Sequence, residues 1–72
     1  MTVEEKMELL AEVFDMESED ISKNMVLTEM DEWDSMTKLS LIVMFDDECN
    51  KKITSEDIKG FVTIQDILNY ME

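Results

Sequence analysis

A single cysteine in a chain of 72 residues limits this fold more than any other feature. Cys49 has no second cysteine to pair with, so no internal disulfide can staple the chain. At this length a domain buries only about 60% of its unfolded surface, and the core must be thin. The expectation is one domain, residues 1–72, with no room for the deep rigid cleft of most enzymes. The chain has no histidine, and no serine or cysteine stands beside a base suited to hydrolysis, so no catalytic residue is assigned. Cys49 reads as a small buried apolar residue. Without a disulfide, a histidine or a cysteine set for metal, a reducing compartment, the cytoplasm, is expected.

Charge narrows the partners. Nineteen acidic residues against six basic ones, all lysine, give a formal net charge of -13. Such a surface repels nucleic-acid phosphates and anionic membranes and attracts basic protein surfaces in a salt-dependent way. The first residues, MTVEEKMELL, lack the basic start and apolar stretch of a signal peptide. No apolar run approaches the ~18 residues of a membrane span, so no membrane insertion is expected. Asp15, Glu17 and Glu19 alternate like the start of a calcium loop. Asp20 then stands where the loop needs glycine and Val26 where it needs glutamate, so an EF-hand is rejected and no metal site is assigned.

There is no proline, and Gly60 is the single glycine, so turns must come from polar clusters. A first helix is expected over Val3 to Phe14. Thr2 and Glu5 have capping-box spacing, and Val3, Met7, Leu10, Ala11 and Phe14 share one face. An acidic loop follows from Asp15 to Asp20. From Ile21 to Trp33 the apolar residues Ile21, Met25, Val26, Leu27 and Met30 fit neither helical nor strand period, and a long loop pinned to the core is expected; long ordered loops in small domains are usually functional. A second helix starts at Asp34 or Ser35, both good caps, and runs to about Glu48. Its apolar residues are too many for one buried stripe, so part of it must face something other than the core. A short third helix is expected over Ser55 to Lys59, with Thr54 or Ser55 as cap and Gly60 near its end. A fourth opens at Thr63 with Asp66 and carries Ile64, Ile67, Leu68 and Met71 on its apolar face. The fold class is therefore all-α, a small bundle of three principal helices plus one short one.

The informative segment is Glu32-Trp33-Asp34-Ser35-Met36. An Asp-Ser pair ends a long loop and opens an apolar helix. A phosphate ester on such a serine gains from the free N–H groups and dipole of the helix N-terminus, and a loop–helix junction sits at the surface. Taken alone, the same pair is also an ordinary helix cap.

Asp34-Ser35-Met36 resembles the Asp-Ser-Leu motif of the acyl carrier proteins and of their peptidyl and D-alanyl relatives, with Met as a mild replacement for Leu. The likeness continues through LSLIVMFDDEC, ITSEDI and FVTIQDILNYM, in the family's order of elements, and covers essentially the whole chain. It implies a stand-alone carrier rather than an enzyme. Ser35 would bear 4'-phosphopantetheine derived from coenzyme A, with Asp34 and Met36 as motif neighbours, and would hold acyl or aminoacyl groups as thioesters. It also implies a monomer whose partners are a phosphopantetheinyl transferase, a loading ligase, and acyltransferase or synthase enzymes, in fatty-acid or polyketide-type synthesis or a specialised pathway.

Two departures from the family pattern shape the expected docking. Trp33 precedes the motif where many fatty-acid carriers have a small residue, either as a core anchor or as a mark of specialised carriers. Thr37, Lys38 and Ser40 follow it where those carriers are acidic. Partner contact is therefore expected to be apolar near Ser35, through Met36, Leu39 and Val43, with charge supplied by Asp46, Asp47 and Glu48. Met36 and Met44 are candidates for contact with a partner or cargo, and Leu41, Phe45 and Ile67 are candidate walls for cargo folded back between helices. The competing readings are an unmodified acidic adaptor and a helical protein that orders its acidic clusters with calcium or magnesium.

Overall fold

Thr2 and Glu5 close the first turn reciprocally: the Glu5 N–H donates to the Thr2 hydroxyl at 3.1 Å and the Thr2 N–H donates to the Glu5 carboxylate at 3.0 Å. From that box, in a computed structural model that describes residues 2–71, helix α1 runs Val3–Phe14. It buries Lys6, Leu10, Ala11 and Phe14, while Met7 is half-buried and Val3 stays exposed. The buried stripe thus begins one turn later than the sequence pattern suggested. Lys6 belongs to it because a lysine's long methylene stem can be buried like an apolar side chain. Asp15 ends the helix in the left-handed conformation, φ 57°, where its N–H donates to the carbonyls of Ala11 and Glu12.

Helix α2 spans Ser35–Cys49 and ends at Asn50, φ 52°, another non-glycine residue in the left-handed region that Asn tolerates. The short α3, Ser55–Lys59, and α4, Ile64–Tyr70, both open with capping boxes, Thr54 with Asp57 and Thr63 with Asp66. Among the described residues there is no strand and no helix long and apolar enough to cross a membrane. The all-α bundle of three principal helices and one short one is the fold observed.

The irregular segment is ordered by backbone pairing that its sequence does not announce. Val26 bridges antiparallel to Thr63. The Leu27 N–H donates to the Val62 carbonyl at 2.9 Å, and the first N–H groups of α4 donate back, Ile64 to Met25 at 3.1 Å and Gln65 to Lys23 at 2.9 Å. Donors that a helix start leaves without intrahelical partners are thus satisfied by the loop. A 3-10 turn, Leu27–Glu29, then drops Leu27 into the core.

That core joins every element. Its fully buried side chains are Leu10 and Phe14 of α1, Leu27 of the loop, Leu41 and Phe45 of α2, and Ile64 and Ile67 of α4. Each is worth about 1.5–3 kcal/mol relative to exposure. Tyr70 caps the far end, edge-on to Phe45 and Phe61 with centroids 5.9 and 5.4 Å away, while its carbonyl accepts from Lys51 Nζ at 2.7 Å.

Candidate functional site at the head of the second helix

Asp34 and Ser35 compete on paper for the role of cap, and the structure separates them. Asp34 is the cap: its backbone is extended, and its carboxylate accepts from the Thr37 N–H at 2.9 Å. That N–H, followed by a side-chain bond to Thr37, holds the Asp34 carboxyl below the usual range for aspartate. Ser35 is the first residue inside the helix and is exposed, and its hydroxyl makes no hydrogen bond among the described residues. Met36 follows, 79% exposed.

Trp33 positions this junction from behind. Its ring stacks on Phe14 of α1, centroids 5.6 Å apart and planes 8° from parallel, and Lys38 Nζ lies 5.5 Å above the ring centroid. The loop end is therefore fixed to the core by an aromatic pair that anchors it at the point where α2 begins. Of the two roles considered for Trp33, core anchoring is the one the geometry displays.

A cleft of about 490 Å³ opens directly beside Ser35, within the 300–1,000 Å³ or so usual for small-molecule sites. Ser35, Lys38, Leu39 and Ile42 form one wall, at the i, i+3, i+4, i+7 spacing of a single helix face, and Ile58 and Phe61 face them. The walls expected for folded-back cargo, Leu41, Phe45 and Ile67, are elsewhere: all three are sealed in the core. Met44, a candidate for partner or cargo contact, is buried as well, because it stands three residues from Leu41 and beside Phe45 on the inward face.

The outward residues of α2 are where the sequence put them. Leu39 and Val43 are 62% and 51% exposed and continue the stripe that begins at Met36. Asp46, Asp47 and Glu48 are exposed at the far end of the helix. A second groove of about 460 Å³, between α1 and α2, brings Val43 together with Asp47 and Glu48 but does not include Met36 or Asp46. Cys49 is only half-buried, and that burial pushes its thiol upward from the ordinary value.

What the sequence missed is the partner wall of the cleft, Ile58, Lys59 and Phe61, which no local pattern ties to Ser35. The opposite wall was within reach: the spacing 35, 38, 39, 42 marks a helix face shared with the serine. An exposed, uncommitted hydroxyl at a helix start, beside a cleft of mixed lining, suits a covalently attached group that must reach both solvent and protein. A family model described as the phosphopantetheine attachment site matches residues 7–71. Comparison with curated proteins gives no match.

Proposed function

We propose that Ser35 is the acceptor hydroxyl of a carrier domain, and the premise is plain: this chain belongs to the acyl and peptidyl carrier family, whose domain is the attachment site for covalent 4'-phosphopantetheine. When attached, the group supplies a terminal thiol on which cargo is held as a thioester. Carriers of this family work with phosphopantetheinyl transferases and with synthase or ligase enzymes, and they present cargo rather than transform it.

One observation carries the assignment to Ser35. Asp34 does the capping, so the neighbouring hydroxyl has no structural duty and stands exposed at the mouth of a cleft. A phosphate on that oxygen would meet the positive end of the dipole of α2. Asp34 and Met36 flank it, the first fixing the helix start and the second open to an approaching enzyme. Residues 1–72 act as one carrier domain in this reading. Met36, Leu39 and Val43 meet the partner, and Asp46, Asp47 and Glu48 supply charge at the rim, the usual division in an interface. The cargo is an acyl or aminoacyl group of a specialised or fatty-acid/polyketide-type pathway.

Intact mass after incubation with coenzyme A and a broad-specificity phosphopantetheinyl transferase tests the assignment. The wild type should gain one phosphopantetheinyl group and Ser35→Ala none. Because Ser35 is not the cap, Ser35→Ala should stay within about 0.5 kcal/mol of wild-type stability, which separates lost chemistry from lost folding. A wild-type chain left unmodified beside a modified control carrier would instead favour the acidic adaptor.

A further inference from the structure

The cleft beside Ser35 differs in charge from the rest of the molecule. Nineteen of the 72 residues are acidic, yet none of the ten that line this cleft is. Two of the chain's six lysines, Lys38 and Lys59, do line it. The groove between α1 and α2 shows the contrast, with Glu12, Asp47 and Glu48 along it. Neither Lys38 nor Lys59 is in an ion pair among the described residues; Lys38 Nζ sits instead over the Trp33 ring. The remaining lining is the hydroxyl residues Thr28, Ser35 and Ser55 and the larger apolar set Trp33, Leu39, Ile42, Ile58 and Phe61.

A largely apolar cleft lined by two lysines and no carboxylate, on a chain of net charge -13, suits a ligand that is both apolar and anionic. An ammonium-bearing cargo would meet like charge there, and a purely aliphatic one would leave both lysines unused. We propose that the cleft holds thioester cargo bearing a free carboxylate, with the carboxylate toward Lys38 and Lys59 and the carbon chain along Trp33, Ile42 and Ile58. This rests on Ser35 as the point of attachment, since only an arm rooted at the edge of the cleft delivers cargo into it. It narrows the acyl or aminoacyl class to carboxyacyl groups.

Trp33, the single tryptophan, lines the cleft and reports on it directly. The transferase can load the full chain from coenzyme A and from its adipoyl, hexanoyl and ε-aminohexanoyl thioesters, which match in chain length and differ in end charge. Trp33 emission and the side-chain NMR signals of Lys38 and Lys59 then measure how far each cargo seats. Adipoyl should seat better than hexanoyl by about 1.4- to 5-fold per lysine, the range of an exposed ion pair, and ε-aminohexanoyl least of all. Salt near 1 M, where screening acts within about 3 Å, should erase the difference. Lys59→Gln should reduce the adipoyl preference and Lys38→Gln/Lys59→Gln should abolish it. Lys59→Gln leaves the Lys38–Trp33 contact intact, and circular dichroism checks folding of both variants.

Equal seating of the three cargoes, or an adipoyl preference that survives in the double variant, overturns the proposal. A full response from the unloaded arm also overturns it, because the anion held would then be the arm's own phosphate. Mass gain without charge dependence removes only this inference, whereas absence of mass gain removes the assignment of Ser35 and this inference with it.

Discussion

Along α2, two stripes of similar side chains have different surroundings. Leu41, Met44 and Phe45 are buried on one side, and Met36, Leu39 and Val43 lie open on the other. Both stripes are apolar and both contain a methionine, so composition cannot tell them apart. What separates them is angle. At about 100° per residue the first group points to where α1, α4 and Leu27 converge, and among the described residues the second stays exposed. Burial of an apolar residue follows from what its neighbours can reach, and the uncovered stripe next to Ser35 is the surface proposed above to meet a partner.

The largest test of that contrast is truncation on each side. Phe45→Ala should destabilise the domain by about 3–5 kcal/mol, a severe loss for a thin core. Leu39→Ala, an equally apolar position on the open side, should change stability by no more than about 0.5 kcal/mol. Chemical denaturation measures both, and similar losses would mean that the open stripe is structural after all.

A smaller effect is expected in function. Met36→Ala or Val43→Ala should slow loading by the dedicated enzyme by roughly fivefold, about 1 kcal/mol, with helix content unchanged, and Asp47→Asn should slow it less. If the acidic substitution dominates and the apolar ones are silent, charge rather than the open stripe drives recognition.

The smallest effect concerns what holds the head of α2 so that each stripe faces its own side. The Asp34 carboxyl is held below its ordinary range chiefly by the Thr37 N–H, so its bond contributes stability above the unfolded value, near pH 3.9, and loses it as pH falls through the lower folded value. The thermal midpoints of wild type and Asp34→Ala should therefore differ most near pH 7 and converge in acid. A gap that stays constant into acid would mean that the cap does not act through its charge.

The legible parts of this molecule were those governed by short-range rules. The capping spacings at Thr2 and Thr63 located α1 and α4, and the surplus of apolar residues in α2 implied its open stripe. Asp34 and Ser35 could not be ranked as caps because both side chains suit the role; only the Thr37 N–H, bonded to one of them, decides. Met44 was misplaced because it was judged by residue type, although its spacing from Leu41 and Phe45 marked it as inward. The far wall of the cleft and the pairing of Lys23 to Leu27 with Val62 to Gln65 were out of reach, since both depend on contacts between distant parts of the chain.

That pairing has a consequence for how the domain opens and closes. A helix of seven residues has too few turns to persist alone, and the first N–H groups of α4 donate to the loop carbonyls of Met25 and Lys23, about forty residues earlier in the chain. Each partner's hydrogen bonds are completed by the other, so loop and helix are expected to open as one unit, with their amides exchanging together. The loop that ends at Ser35 is one half of that unit. The serine is thus presented by a segment whose order depends on closing a long loop between residues 23–27 and 62–65, and a domain without that closure would offer a modifying enzyme no fixed target.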